Sequence, residues 1–132
     1  MRLNNKVILI TGGATGLSGE INGIGGAAAR ICSKEGARVL IGDINDEMGQ
    51  KTANQINEIG GHARYLHLDV TDEDEWVSVY KSITSVEGKL DILVNNAGTG
   101  VPNYDPSLTS ARNSEEALMV EHITVDGLQS QL

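Results

Sequence analysis

Three features of the 132-residue sequence predict an α/β fold with a doubly wound parallel sheet of about four strands. Apolar runs of strand length alternate with segments of helical periodicity. The runs are continuous rather than alternating, as strands buried on both faces require. Glycines punctuate the segment ends, and of the 16 in the chain many fall between positions 12 and 26, where a special backbone geometry is needed.

The elements follow in order. KVILIT (6–11) is the first strand. GIGGAAARICSKEG predicts a helix with Ile24, Ala27, Ala28, Ile31 and Cys32 on one face and Gly36 as its stop. RVLIGD (38–43) is the second strand. DEMGQKTANQINEIGG is the second helix, with Met48, Ala53, Ile56 and Ile59 along one side and Gly60 and Gly61 closing it. ARYLHLDV (63–70) is the third strand. Thr71 and Asp74 resemble a capping box that opens a helix over 72–87, whose Trp76, Val79, Ile83 and Val86 form one stripe before Gly88. LDILVNN (90–96) is the fourth strand. The order β-α-β-α-β-α-β favours parallel pairing with right-handed crossovers. Residues 99–113 hold both prolines and read as a loop, and Ser114 opens a weaker helical pattern through Leu118, Met119 and Ile123. Two regions are predicted: a nucleotide-binding part over 1–98, and a loop plus partial helix over 99–132.

Composition narrows the partners. Hydrophobic residues make up 39% and charged residues 21%, a globular profile. With no Phe and a single Trp, the core must rest on Ile, Leu, Val and Ala. The net charge of −8 disfavours nucleic acid and anionic membrane surfaces. A small anion held by backbone N–H groups needs no positive side chain and stays allowed. Cys32 is the only cysteine, which excludes an intrachain disulfide, and its place in an apolar helical pattern suits a buried structural thiol. No metal-ligand spacing is present, and His62, His67 and His122 show no triad. There is no signal-peptide region and no apolar run of transmembrane length, which predicts a soluble cytoplasmic protein.

The chemistry-bearing residues begin after the first strand. Gly23, Gly25 and Ala28 match G-x-G-x-x-G/A, a turn that lets backbone N–H groups approach a pyrophosphate at a helix start in a Rossmann-like unit. A lone match is weak, and an ordinary glycine-rich connection would look alike. The flanking strand and helix strengthen it, as does Asp43, 18 residues after Gly25 at the end of the second strand. A carboxylate there accepts from ribose hydroxyls and repels a 2′-phosphate, so NAD is preferred over NADP. The plainer reading of Asp43 is a helix cap, a place that Asp46 fits better.

TGGAT and GIG after the first strand, Asp43, LDV at 68–70 and NNAG at 95–98 together resemble the short-chain dehydrogenase/reductase family. The resemblance covers about residues 5–98 and rests on four motifs in order. It implies a phosphate-side turn of Thr11, Gly12, Thr15, Gly23, Ile24 and Gly25. It implies that Asp43 reads the adenosine ribose, that Asp69 contacts the adenine amino group and that Val70 lines the adenine. Asn95, Ala97 and Gly98 would support the sheet beside the cofactor. The implied reaction is hydride transfer between an alcohol and a carbonyl. The family performs it with a Ser and a Tyr-x-x-x-Lys pair, the Tyr acting as general acid or base.

Two departures stand out. The pattern T-G-x-x-x-G-x-G is restored only when residues 16–22 (GLSGEIN, including Glu20) are looped out. That insertion is either a tolerated surface loop or a damaged phosphate site. Further along, Tyr65, Tyr80 and Tyr104 are followed four residues on by Asp69, Thr84 and Leu108, so none begins Tyr-x-x-x-Lys. Three functions remain open: an oxidoreductase completed by other residues, a non-catalytic NAD-binding fragment or pseudoenzyme, and an interaction module. The last would use strand 90–96 as an exposed apolar edge for self-association.

Overall fold

The computed structural model describes residues 1–14 and 23–98, and Met1–Ala97 make one compact unit. Thr15, the 16–22 insertion with Glu20, and the predicted loop and helix of 99–132 lie outside the described residues.

Seven elements alternate as the sequence predicts. They are β1 (Val7–Thr11), α1 (Ile24–Lys34), β2 (Arg38–Asp43), α2 (Asp46–Glu58), β3 (His62–His67), α3 (Glu73–Val86) and β4 (Ile92–Val94). The strands form one parallel sheet in the order β3-β2-β1-β4. The order reverses between β1 and its two neighbours, so β1 lies at the topological switch, beside which ligands of such sheets bind.

Period-two alternation divides the core. Ile8, Ile10, Val39 and Ile41 pack with Ala29, Ala37, Ala53 and Ile56 on the face covered by α1 and α2. Val7, Leu9 and Leu40 pack with Leu68, Val79 and Ile83 on the face covered by α3. Every residue of β1 is buried. Each fully buried Ile or Leu contributes about 1.5–3 kcal/mol. Gly36, Gly60 and Gly88 end the three helices at φ +93, +86 and +82, where only glycine sits without strain.

Several local expectations are corrected. Ile24 and Ile31 are 81% and 60% exposed, and α1 instead buries Gly25, Gly26 and Ala29. The helix approaches the sheet through its smallest residues, so the larger apolar side chains point away. Cys32 is half-buried against the α1/α2 core rather than fully buried, and desolvation pushes its thiol pKa up. Ile59 and Val86 are also exposed. The α3 cap is Asp72, whose carboxylate accepts from the Asp74 and Glu75 N–H groups, while Thr71 turns back to Asp69. The α2 cap is Asn45 rather than Asp46. β4 is three residues long and pairs only with β1 among the described residues, leaving Leu93 44% exposed. No helix among the described residues is long and apolar enough to cross a membrane.

Candidate dinucleotide site

The site is built at the carboxyl ends of β1, β2 and β3. Thr11 ends β1 and is buried. Its hydroxyl accepts from the N–H groups of Asn96 and Ala97 at 3.1 and 3.0 Å and donates to the Val94 carbonyl at 3.4 Å. The Asn96 side-chain amide donates to the carbonyls of Thr11 and Gly12, both at 3.1 Å. Gly12 (φ +65) donates to Gly42 of β2 at 2.8 Å. Ala14 is fully buried, and its carbonyl accepts the Thr52 hydroxyl of α2 at 2.6 Å. The exit of β1 is thus tied to β2, to α2 and to the segment after β4.

Gly25 completes this knot. A Cβ at Gly25 would collide with the Gly12 carbonyl oxygen and the Asn96 amide, and one at Gly12 would meet the Ala97 Cα at 2.9 Å. Both glycines are therefore required by close backbone approach. Within the described residues the tether after β4 is Asn96, while Asn95 is exposed. Strand parity carried this signal. Ile92 and Val94 pack on the α1/α2 core, and Asn96 continues their period.

The start of α1 differs from the other two helix starts. Gly23 supplies no side-chain cap, and the first turn holds no acidic residue. α2 has the Asn45 cap with Asp46 and Glu47, and α3 has the Asp72 cap with Glu73, Asp74 and Glu75. The first-turn N–H groups and the positive dipole end of α1 are those an anionic group would meet.

Asp43 lies at the end of β2. Its Oδ2 accepts from the Ala14 N–H at 3.1 Å and its Oδ1 from the Asn45 N–H at 3.0 Å. A carboxylate offers about four lone-pair sites, so each oxygen keeps capacity for a hydroxyl donor. The Tyr65 hydroxyl lies 2.7 Å from the Asp43 carbonyl and 2.6 Å from Asp46 Oδ1. Its ring packs so closely on α2 that a Cβ at Gly49 would overlap it.

After β3, Asp69 Oδ1 accepts both the N–H and the hydroxyl of Thr71, at 2.9 and 2.6 Å. The Thr71 hydroxyl first, then its N–H, hold the Asp69 carboxyl below its usual pKa. The Val70 side chain packs on the α3 core, and its carbonyl accepts the Trp76 indole N–H at 3.0 Å. Ile24 and Gly98 are exposed at the two ends of the constellation.

A strand–turn–helix with a bare helix start, followed by an acid ending the next strand, defines the dinucleotide-binding class of parallel α/β fold. A family model described as short chain dehydrogenase matches residues 6–125. The chain belongs to the short-chain dehydrogenase/reductase family. It is 41% identical over 97 residues to a cyclopentanol dehydrogenase of Comamonas sp., an overlap of 74% of this chain and 36% of that protein. It is 43% identical over 101 residues to short-chain dehydrogenase reductase 3b of Arabidopsis thaliana, 76% of this chain and 36% of that one. The chain thus spans about a third of these relatives' length. Among solved structures, a hydroxysteroid dehydrogenase from Escherichia coli superposes with a TM-score of 0.68 at 35% identity, covering 80% of this chain and 43% of that one. A metagenomic short-chain oxidoreductase in complex with NADP gives 0.69 at 27% identity, covering 88% and 48%.

Proposed function

We propose that this chain binds a nicotinamide dinucleotide at the carboxyl end of its sheet, with NAD preferred over NADP. The observation that carries the reading is the uncapped, acid-free start of α1 beside the Gly12–Gly25 contact. The backbone there is shaped for close approach, and nothing negative in the described first turn competes with a pyrophosphate. Thr11, Gly12, Thr15, Gly23, Ile24 and Gly25 form the phosphate side. Asp43 receives the adenosine ribose hydroxyls and opposes a 2′-phosphate. Asp69 takes the adenine amino group with Val70 beside it. Asn95, Ala97 and Gly98 support the sheet beside the cofactor, while Asn96 and the Ala97 N–H tie the segment after β4 to the turn.

When bound, the dinucleotide supplies the hydride donor or acceptor for interconverting an alcohol and a carbonyl. These 132 residues hold no Tyr-x-x-x-Lys, so their proposed part is to hold and orient the dinucleotide. Turnover requires polypeptide that brings the Ser, Tyr and Lys.

Calorimetry with NAD and NADP on the full chain tests this. NAD binds more tightly than NADP, and Asp43→Ala weakens NAD about ten- to a hundredfold, the loss of hydrogen bonds to a charged acceptor, while narrowing the gap between the two. An Asp43→Ala chain that binds NAD unchanged overturns the ribose assignment. A second reading, strand addition at β4, is favoured by Leu93's exposure at the sheet end. It predicts a mass above 14.0 kDa by light scattering, and a strict monomer counts against it.

A further inference from the structure

His67 is unused by the reading above, yet it is the cross-strand partner of Asp43. The β2–β3 register pairs Asp43 with His67, and paired residues of parallel strands present their side chains to the same face. His67 Nδ1 lies 2.6 Å from Asp46 Oδ1, and Nε2 lies 3.7 Å from Glu75 Oε1. The acidic groups acting on the imidazole are Asp46 of α2 and Glu75 and Asp69 on the α3 side. Asp43 is its register partner on β2, and Tyr65, two residues back on its own strand, shares Asp46 with it. Among the described groups there, His67 is the one basic side chain.

We propose that His67 is a pH-dependent specificity residue for the adenosine ribose. Protonated, it offsets one carboxylate beside the 2′ position; neutral, it leaves that wall more negative and sharpens rejection of a 2′-phosphate. The inference rests on the proposed placement of the ribose at Asp43.

The geometry separates charge from position. Tyr65 bonds both the Asp43 carbonyl and Asp46. Burial first, then Asp46, pushes the Tyr65 pKa up, so its hydroxyl stays neutral across the range in which an imidazole titrates. The turn after β2 therefore keeps its anchor while only His67 changes charge. The Asp46 hydrogen bond raises the His67 pKa above its ordinary 6.5, so the proton is held to higher pH and lost as pH rises through that raised value.

The test uses adenosine 2′,5′-bisphosphate and 5′-AMP, probes that differ only in the 2′-phosphate, titrated into the full chain across pH 6–9. The expected result is that the preference for 5′-AMP grows about three- to tenfold with rising pH, a change of one partly screened charge. In His67→Gln this growth shrinks to the part due to titration of the phosphate itself. In Asp46→Asn, which removes the partner that raises the imidazole pKa, the midpoint moves to lower pH. Equal pH trends in wild type and His67→Gln overturn the proposal while leaving the ribose reading intact. Failure of both probes to bind any variant overturns the ribose reading and the proposal together.

Discussion

α1 and α2 leave adjacent strands at the same edge of the sheet, yet their first turns are built in opposite ways. α2 begins with the Asn45 cap and two acids, whereas α1 begins with Gly23, no cap bond and no acid. Both helices carry the same backbone dipole, about half a positive charge at the start. The fold therefore supplies equal anion sites, and the side chains decide which one is left for a ligand. Leaving α1 bare costs little, because glycine at the cap position is only a few tenths of a kcal/mol worse than the best cappers.

The comparison breaks hardest at Gly25. Gly25→Ala drives a methyl into the Gly12 carbonyl, which is backbone, and into the Asn96 side-chain amide, which is held by its bonds to the Thr11 and Gly12 carbonyls. The expected loss is about 1–3 kcal/mol by urea denaturation, with dinucleotide binding lost in parallel. An unchanged midpoint would show that the β1–α1 contact is not tight. Gly23→Asp sharpens the comparison by giving α1 a start like that of α2. The position is extended, φ −65 and ψ 149, a backbone conformation that aspartate adopts readily at a helix cap. Stability should rise by a few tenths of a kcal/mol while affinity for NAD falls about tenfold, because the new carboxylate takes the N–H groups and repels the pyrophosphate. If affinity holds, the pyrophosphate does not sit there.

Asp72→Ala tests the converse at a sealed start. It strips the acceptor from the Asp74 and Glu75 N–H groups, and about 1 kcal/mol of stability should go. Binding of NAD per folded molecule should not change. A matching loss of affinity would mean that α3, rather than α1, faces the anion.

The sequence made the sheet legible because burial on both faces leaves continuous apolar runs, and because Gly36, Gly60 and Gly88 must take left-handed φ at the helix ends. The α1 stripe was misread for a physical reason. Apolarity pointed to Ile24 and Ile31, but close approach selects small residues, and Gly25, Gly26 and Ala29 carry the contact. The caps were misassigned by one residue at both α2 and α3, since neighbouring polar residues compete and only backbone geometry chooses between them. At the site, Asp43 was legible from its place at a strand end. Asn96, Tyr65 and His67 were not, because their roles depend on register between strands and on which face each residue takes. Asn95 and Asn96 are chemically identical, and parity alone separates them.

The smallest effect concerns the α2 start itself. The Tyr65 hydroxyl first, and then His67, hold the Asp46 carboxyl below its ordinary 3.8. The Asp46 contribution is therefore present above 3.8 and lost as pH falls through the lowered value. His67 has the opposite sign: its contribution is complete below 6.5 and lost as pH rises through its raised value. The pair contributes in full only between 3.8 and 6.5, and stability measured against pH should show a shallow plateau there. Both side chains are exposed, so salt screens the pair and the plateau should flatten at high ionic strength. His67→Gln should remove the alkaline-side decline and keep much of the acid-side one, because Tyr65 still holds Asp46. Parallel wild-type and variant profiles would show that the imidazole adds nothing to the fold.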